Sequence, residues 1–241
     1  MKSTGISIDL VEALKKYNIE SPTDIQSRVI PCAIKNLDII AQSKTGTGKT
    51  LAYLLPIFEK CDSNEHSMQV IILAPTHELA MQIVGVVRNL SSNLISKLTV
   101  APIIGDVNID RQIKSLKSKP NIIVGSPGRI LELIKKRKIA SHTVKTIVID
   151  EADRLLDKNN YDVVFGIVKS TLKERQVMCF SATMPDKIVE KAKKITKEPQ
   201  IIKCDMSISL PKSIKHLYFI VEQRKKVDIF GFISKTNYVS T

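Results

Sequence analysis

The sequence predicts an α/β fold built on a mainly parallel β-sheet with helices on both faces. Between residues 38 and 203, short runs rich in β-branched residues alternate with helical stretches, the pattern of parallel strands joined by crossover helices. Several runs are apolar at successive positions, as in "QVIILAP" and "KTIVID", and strands buried on both faces have this composition. A loop with two glycines, "SKTGTGKT", directly follows the first run.

The elements follow in order along the chain. Two helices, "IDLVEALKKY" and "TDIQSRVIPCAIKN", precede the first strand, and Thr23 is the predicted N-cap of the second. The spacing of apolar residues predicts further helices for "HELAMQIVGVVRNL" and "PGRILELIKKRK". The second begins with Pro127, which the first turn of a helix tolerates. The predicted strands are residues 38–42, 69–75, 98–104, 121–126, 145–150, 176–181 and 200–203.

Composition limits the class of protein. The chain has 241 residues, and 43% of them are apolar, which suffices for a packed core. No apolar run approaches the roughly 18 to 20 residues that cross a bilayer, and no secretory leader is visible. We therefore expect a soluble cytoplasmic protein without membrane partners, or a nuclear one in a eukaryote. The four cysteines form no CxxC pair, so neither a zinc site nor a disulfide framework is expected.

The formal net charge of +13 attracts polyanions such as nucleic acid. Codon bias toward AT-rich DNA explains the abundance of lysine equally well, so charge alone leaves a specific polyanion site undecided. The segments "KKRK" (135–138) and "KAKK" (191–194) lie late in predicted helices, where the helix dipole favours positive charge. They stay outside the predicted site.

The stretch "SKTGTGKT" (43–50) has the properties of a loop that holds phosphates. Gly46 and Gly48 allow a tight turn whose N–H groups approach phosphate oxygens, at the positive dipole end of the next helix. Lys49 supplies a charge for the β- and γ-phosphates, and the Thr50 hydroxyl is placed to bind Mg²⁺. Ser43 stands where the common GxxxxGK[ST] pattern has glycine, and a plain glycine turn is the alternative. The expected nucleotide-binding residues are Ser43, Lys44, Thr45, Gly46, Thr47, Gly48, Lys49 and Thr50.

Three carboxylates, of Asp150, Glu151 and Asp153, stand at the end of the predicted strand "KTIVID". Carboxylates this close together repel one another, and a magnesium ion would compensate them. Asp150 is expected to hold Mg²⁺, in part through water, and Glu151 to act as general base for the attacking water. The alternative is a solvated helix N-terminus, where the dipole favours acidic residues.

Four further stretches complete a series of motifs: "SPTDIQ" (21–26), "APTHELA" (74–80), "GSPGR" (125–129) and "SAT" (181–183). Together with the phosphate loop and "DEAD" (150–153), their order and spacing resemble the first RecA-like domain of DEAD-box RNA helicases. The resemblance covers residues 1–205, and residues 1–37 correspond to the Q-motif helices. It implies a RecA-like P-loop fold, ATP and Mg²⁺ as cofactors, and an ATP-dependent RNA helicase.

The resemblance assigns roles to further residues. Gln26 corresponds to the family's adenine reader, whose carboxamide offers one donor and one acceptor to the N6 and N7 edge of adenine. Ser181 and Thr183 correspond to the motif that couples the acidic cluster, through Asp153, to domain closure. The expected catalytic residues are Lys49, Asp150, Glu151, Ser181 and Thr183, and the expected metal ligands are Thr50 and Asp150.

The resemblance also implies a surface that binds single-stranded or short duplex RNA. The Arg129 guanidinium can bind a phosphate through two nitrogens, and glycine at position 128 is expected to let a helix N-terminus approach the strand closely. Taken singly, the motifs have ordinary alternatives: a strand-to-helix turn for "APT", a helix start for "SPGR" and a cap for "SAT". The expected RNA-binding residues are Pro75, Thr76, His77, Gly105, Pro127, Gly128 and Arg129.

At four positions the sequence departs from the family pattern. His77 stands where arginine is usual, which weakens a phosphate contact near neutral pH because imidazole is mostly uncharged there. Asp106 replaces a second glycine after Gly105 and puts a negative charge near the expected RNA path. Asn18 and Ile19 replace a glycine and an aromatic residue, so adenine would pack on an aliphatic side chain.

The sequence changes character after Cys204. Residues 206–216 are predicted to be a linker, and residues 217–241 the start of a truncated second helicase domain. In the family, the second RecA-like domain supplies an arginine finger and half of the RNA surface. The chain alone is therefore expected to be a weakly active, monomeric ATP-binding half, with the second domain supplied in cis.

Two other classes of function stay open. A different P-loop NTPase, such as a DNA translocase, would share the phosphate loop and the magnesium-binding acid, but it is not expected to carry the "PTDIQ" adenine reader. A non-catalytic RNA-binding scaffold is the other alternative. It would have no chemical need to keep Lys49, Asp150 and Glu151 together.

Overall fold

The computed structural model describes residues 1, 4–105, 107–204, 220–226 and 229–231. The chain divides into two units, Met1–Met206 and Ser207–Thr241. The described part of the second unit contains a short 3-10 helix, Gln223–Lys225. The predicted linker, most of the predicted second domain and Asp106 lie outside the described residues.

The described part of the first unit alternates strands and helices as predicted. Its strands are β1 (Ile39–Gln42), β2 (Val70–Leu73), β3 (Val100–Ile103), β4 (Ile122–Gly125), β5 (Thr146–Asp150), β6 (Gln176–Ser181) and β7 (Gln200–Lys203). Its helices are α1 (Ile8–Lys15), α2 (Asp24–Ile34), α3 (Lys49–Lys60), α4 (His77–Ser92), α5 (Ile109–Leu116), α6 (Pro127–Lys135), α7 (Ala152–Leu155), α8 (Tyr161–Ser170) and α9 (Asp186–Ile195). All the predicted strands and helices are present. Helices α5 and α7–α9 add to them.

The strands form one sheet in which all paired neighbours are parallel, with the order β3-β4-β2-β5-β6-β1-β7. The predicted α/β fold with a mainly parallel sheet is therefore confirmed. The predicted bounds of β2, β3 and β4 extend slightly beyond the observed ones. Flanking residues such as Ala74 and Ile104 are buried without belonging to a strand, so their apolar character does not mark where the strand ends.

Two hydrophobic cores form because alternate strand residues face opposite sides of the sheet. Ile39 and Ala41 of β1 pack with residues of α1–α4, whereas Ile40 packs with residues of α5–α9. Every residue of β2, β4, β5 and β6 is buried, which accounts for their nearly uninterrupted apolar sequences. None of the helices in the described ranges is long and apolar enough to cross a membrane.

The carboxyl ends of the parallel strands lie along one edge of the sheet. Strands β5, β6 and β1 are neighbours in that order, and they end at Asp150, Ser181 and Gln42. The fold therefore brings the acidic cluster, the "SAT" motif and the phosphate loop to adjacent positions, where ligands of open α/β sheets bind.

Candidate functional site

The phosphate loop connects β1 to α3. Gly46 and Gly48 have φ of 77° and 90°, in the left-handed region that glycine adopts without strain. Lys49 begins α3, and its ammonium donates hydrogen bonds to the carbonyl oxygens of Ser43 at 2.8 Å and Lys44 at 2.7 Å. The lysine side chain thus lies back over the loop that precedes it.

Gln26 joins α2 to the phosphate loop. Its Oε1 accepts a hydrogen bond from the N–H of Thr23 at 3.0 Å, and its Nε2 donates to the carbonyl oxygen of Gly48 at 3.1 Å. Thr23 is the N-cap of α2, as predicted. The two bonds leave the Gln26 carboxamide one N–H and one oxygen lone pair, although the residue is only 2% exposed.

We expect Gly48→Ala to destabilise the domain more than Gly46→Ala does. Both positions have a positive φ, which costs an L-residue about 1 to 2 kcal/mol. A Cβ at Gly48 would also lie 2.4 Å from Nε2 of Gln26, whereas a Cβ at Gly46 meets nothing within 4 Å. Thermal unfolding followed by circular dichroism measures the difference. Equal losses of stability would mean that the Gln26 contact does not constrain the loop.

Strand β6 ties the phosphate loop to the acidic cluster. The N–H of Ser43 donates to the carbonyl oxygen of Ser181 at 3.0 Å, and Oγ of Ser181 accepts from the N–H of Thr183 at 3.3 Å. The Thr183 hydroxyl donates to Oδ2 of Asp153 at 2.5 Å. A series of hydrogen bonds through Ser181 and Thr183 therefore runs from the phosphate loop to the carboxylate of Asp153, their expected partner.

The acidic cluster begins at the last residue of β5. Asp150 is 4% exposed, and its Oδ2 accepts from the Tyr53 hydroxyl while its Oδ1 accepts from the N–H of Glu151, both at 3.0 Å. Glu151 has φ 51° and ψ 53°, a left-handed conformation that costs a non-glycine residue about 1 to 3 kcal/mol and that often marks functional sites. Its Oε2 lies 3.2 Å from Nη1 of Arg154.

Burial shifts the pKa values of Asp150 and Lys49 in the directions that favour their neutral forms. It raises the pKa of Asp150, while the Tyr53 hydrogen bond, the Glu151 N–H and the Lys49 charge oppose the rise. Burial likewise lowers the pKa of Lys49, and the carboxylates of Asp150, Glu151 and Asp153 oppose that shift. The ammonium and the acids therefore stabilise each other's charged forms across the site.

One cleft of about 560 Å³ brings these groups together, a volume in the usual range for small-molecule sites. Thr50 and Asp150 offer it a hydroxyl and a carboxylate, a donor set that fits Mg²⁺, which takes few protein ligands and keeps water and phosphate oxygens. No cluster of three or more His, Cys, Asp or Glu able to hold a metal occurs among the described residues. The lining residues include Thr45, Gly46, Gly48, Lys49, Thr50, Asp150, Glu151, Asp153, Arg154 and Ser181.

Tyr53 contacts the acidic cluster, although the sequence analysis assigns it no role. It lies in the apolar stretch "LAYLLPIF", it is 0% exposed, and its ring centroid is 5.2 Å from that of Phe180. Burial and the Asp150 charge raise the Tyr53 pKa well above its usual value, so the hydroxyl stays a proton donor. The sequence signal for this contact is the hydroxyl of Tyr53 itself, three residues after Thr50 and close to one helical turn away from it.

The residues expected to contact RNA lie at the ends of β2, β3 and β4. Thr76 is the N-cap of α4, and its hydroxyl accepts from the N–H of Leu79 at 3.2 Å. His77, the first residue of α4, is exposed, and Pro75 before the cap is half-buried. Pro127 is the buried first residue of α6. The "APT" turn and the "SPGR" helix start thus have the ordinary structural roles described for them, alongside any contact with RNA.

The Arg129 guanidinium is engaged within the domain. Its Nη1 donates to the carbonyl oxygen of Val107 at 3.0 Å, its Nη2 to that of Gly105, and its Nε lies 3.1 Å from Oε2 of Glu132. These contacts hold the segment after β3 against the start of α6. A phosphate would have to share or replace them.

The steric reason expected for glycine at position 128 is wrong. A Cβ on Gly128 would meet nothing within 4 Å, so this residue does not serve a close approach of helix and strand. Gly125 does serve one, because a Cβ there would lie 1.8 Å from the carbonyl oxygen of Ile103 in β3. Gly128 is exposed, and its small size leaves open space at the N-terminus of α6.

Comparisons with known proteins find similar sequences along most of the chain. A family model described as DEAD/DEAH box helicase matches residues 23–192. The probable ATP-dependent RNA helicase YfmL of Bacillus subtilis is 40% identical over 216 residues, which are 90% of this chain and 57% of that protein. The DEAD-box ATP-dependent RNA helicase CshC of Bacillus cereus is 42% identical over 219 residues, or 91% of this chain and 56% of that protein. The chain thus spans little more than half the length of these relatives.

Solved structures of DEAD-box proteins have the same fold as this chain. A DEAD box protein from Methanococcus jannaschii superposes with a TM-score of 0.77 at 32% identity, covering 97% of this chain and 62% of that chain. The Dbp5 protein of S. cerevisiae, in a structure bound to RNA and ADP BeF3, gives a TM-score of 0.77 at 31% identity, covering 85% of this chain and 51% of that chain. The expected RecA-like fold is confirmed.

Proposed function

This chain belongs to the DEAD/DEAH box helicase family, and we propose that it is the ATP-binding half of an ATP-dependent RNA helicase. It binds ATP with Mg²⁺ at the carboxyl edge of the sheet. With a second RecA-like domain in cis, it couples ATP binding and hydrolysis to the local separation of RNA duplexes. The greater length of the relatives supports the second domain. The protein acts as a monomer in the cytoplasm.

One observation carries this proposal: Lys49 and Asp150 line the same cleft. They come from different strand ends, and each influences the other's pKa. A glycine turn before an ordinary helix would need no half-buried lysine lining the same cleft as a buried acid. A solvated helix N-terminus would not leave Asp150 only 4% exposed.

The cleft residues divide the binding of Mg²⁺ and ATP among them. Backbone N–H groups of residues 45–50 and the Lys49 ammonium hold the β- and γ-phosphates. Thr50 and Asp150 hold Mg²⁺, which neutralises phosphate charge when it is bound. Gln26 reads the adenine edge with its remaining N–H and lone pair, and Ile19, which is half-buried, offers the base an aliphatic surface.

Hydrolysis and coupling fall to the residues around Asp150. Glu151 takes the proton from the attacking water. Its Oε2 lies 3.2 Å from Nη1 of Arg154 but has no hydrogen-bond partner within the described part of the chain, which leaves it available to accept that proton. Ser181 and Thr183 lie between the phosphate loop and Asp153, so a change in the loop on ATP binding reaches the acidic cluster through them. An arginine from the second domain stabilises the transferred phosphoryl group.

RNA binds along the carboxyl ends of β2, β3 and β4, through the residues expected from the sequence. The open space at Gly128 supports a backbone phosphate at the N-terminus of α6. Arg129 contributes by exchanging its contacts with Val107 and Gly105 for a phosphate, or by keeping that segment in place. Contacts of this kind carry little sequence specificity.

Two assays on the purified chain, and on a form that carries a second RecA-like domain, test the proposal. In the first, unlabelled ATP should displace a fluorescent ATP analogue from the chain, and GTP should compete poorly. In the second, RNA should stimulate turnover by the two-domain form more than DNA does, with little turnover by the chain alone. Equal competition by GTP or stimulation by DNA would favour another P-loop NTPase. RNA binding without ATP binding would favour the scaffold.

We expect Tyr53→Phe to raise the Mg²⁺ concentration for half-maximal ATP binding about fivefold, since one hydrogen bond contributes about 1 kcal/mol. The change also removes a contact that lowers the Asp150 pKa, so the carboxylate protonates at higher pH. Binding through Mg²⁺ requires the carboxylate, is present above that pKa and is lost as the pH falls through it. The acidic limit of binding should therefore move to higher pH in the variant.

Mg²⁺ titrations at several pH values measure both effects. Tyr161→Phe, on α8, is the matched control because its ring lies beside Phe165 and outside the cleft. If the pH profile of Tyr53→Phe matches that of the unaltered chain, Tyr53 fills space in the core and does not position Asp150.

A further inference from the structure

A basic cleft lies at the amino edge of the sheet, opposite the edge that carries the phosphate loop. It has a volume of about 550 Å³ and forms where α8 and α9 end and β6 begins. One of its lysines, Lys194, belongs to the "KAKK" segment, which the helix dipole alone could explain. The charged lining residues are Lys169, Lys173, Glu174, Arg175, Lys194 and Lys197, five cations against one acid.

These cations are not neutralised by ion pairs. Within the ranges that the structure describes, none of the five has a carboxylate within 4.0 Å. The ammonium of Lys169 lies 4.6 Å from the ring centroid of Phe165, a contact that leaves its N–H groups available. Lys173, Lys194 and Lys197 are exposed. Their mutual repulsion makes the cleft favourable for an anion.

Arg175 is held in place at the cleft. Its Nη1 donates to the carbonyl oxygen of Lys173 at 3.1 Å and its Nη2 to that of Ile195 at 3.5 Å, while its Nε is buried without a hydrogen-bond partner. Burial raises the pKa of the Asp38 carboxylate, and Arg175 and Lys197 act electrostatically on that carboxylate to oppose the larger rise that burial causes. Its two oxygens are already engaged by the backbone N–H groups of residues 177 and 197, at 2.7 and 2.6 Å.

The helix dipole does not account for the whole cluster. Lys169 and Lys194 lie in the last turns of α8 and α9, where positive charge is favoured. Lys173, Arg175 and Lys197 lie outside both helices, yet they line the same cleft. Charges from separate segments thus converge on one concave surface.

Of the polyanions that could bind here, RNA fits the lining best. The apolar lining residues Val168 and Ile195 are each only 3% exposed, so the cleft offers no exposed aromatic or aliphatic anchor of the kind that fixes a protein partner. Leu172 nearby is 56% exposed, but one leucine is a weak anchor for a protein or a membrane. A phosphodiester backbone repeats its charge along the chain and can contact several cations at once.

We propose that this amino-edge cleft is a second RNA-binding surface, which holds the phosphate backbone of an RNA segment flanking the one bound at the carboxyl edge. The inference rests on the proposed function, since it takes RNA as the polyanion that the protein meets. It predicts that long RNA binds more tightly than short RNA, and that the difference depends on the cleft lysines.

The test uses the triple variant Lys173→Gln, Lys194→Gln and Lys197→Gln. The matched control is the triple variant Lys114→Gln, Lys117→Gln and Lys119→Gln. It removes the same charge from exposed positions in and after α5, which follows β3, the outermost strand on the side of the sheet away from β6. Fluorescence anisotropy with single-stranded RNAs of about 6 and about 20 nucleotides is measured over a range of salt concentrations. Binding of a fluorescent ATP analogue is measured in parallel, and mass spectrometry locates crosslinks to a photoreactive 20-nucleotide RNA.

The cleft variant should bind the longer RNA about tenfold more weakly, with a salt slope smaller by about 2, because each phosphate contact of a single strand contributes about 0.7. The control variant should bind it as the unaltered chain does, and ATP binding should not change. Crosslinks should fall within residues 169–175 and 194–197 in addition to those at the carboxyl edge. Equal weakening in both variants, or no weakening in either, would overturn the inference. It would also be overturned if the cleft binds anionic vesicles or an acidic peptide more tightly than it binds RNA. Failure of the unaltered chain to bind the fluorescent ATP analogue would instead overturn the proposed function.

Discussion

Replacing Lys49 with alanine is expected to weaken the binding of Mg²⁺ and ATP about a hundredfold. Hydrogen bonds to a charged group contribute about 1.5 to 3 kcal/mol each, and we propose that the ammonium binds two phosphates. The variant also loses the bonds from Lys49 to the carbonyl oxygens of Ser43 and Lys44, so the loop itself becomes less ordered. Titration of a fluorescent ATP analogue measures the affinity.

The control for this variant is Lys97→Ala, which removes an exposed lysine before β3, at the opposite edge of the sheet. Thermal unfolding separates a binding defect from a folding defect, because a folded Lys49→Ala domain keeps a cooperative transition. An affinity for ATP within twofold of the unaltered chain would exclude Lys49 as the phosphate ligand.

Replacing Glu151 with glutamine is expected to lower RNA-stimulated ATP turnover about 100-fold to 10,000-fold in a form that carries both RecA-like domains. Glutamine keeps the size of the side chain but cannot accept the proton of the attacking water. ATP binding should persist, since Lys49, Thr50 and Asp150 are unchanged and line the same cleft. Single-turnover hydrolysis and equilibrium binding measure the two properties separately.

Glu12→Gln is the control, because Glu12 is an exposed carboxylate on α1 outside the cleft. Turnover by Glu151→Gln at the rate of the unaltered protein would show that another group takes the proton. Loss of ATP binding together with turnover would mean that Glu151 supports the metal and phosphates and is not the general base.

The parts of this site that depend on residue type and spacing could be predicted from the sequence. Parallel strands place their carboxyl ends at one edge, so a glycine loop after one strand and acids after another were expected to meet. The structure does bring Lys49 and Asp150 into one cleft. The strands themselves were predictable because burial on both faces demands continuous apolar runs.

The parts that depend on contacts between distant segments could not be predicted. The Tyr53 hydroxyl donates to Asp150 across 97 positions of sequence, and a hydroxyl three residues after Thr50 in an apolar helix does not by itself specify that bond. The internal contacts of Arg129 and the need for glycine at position 125 arise from the close approach of β3 and β4. The left-handed conformation of Glu151 has no sequence signal either, since glutamate rarely adopts it.

The most direct test of the central claim is a crystal structure of the chain with a non-hydrolysable ATP analogue and Mn²⁺, located by its anomalous scattering. We expect one metal peak, bound by the Thr50 hydroxyl at about 2 Å and linked to Asp150 directly or through water. The Lys49 ammonium should turn from the carbonyl oxygens of Ser43 and Lys44 to the phosphates. A metal and triphosphate bound elsewhere, with Lys49 still on those carbonyl oxygens, would contradict the central claim.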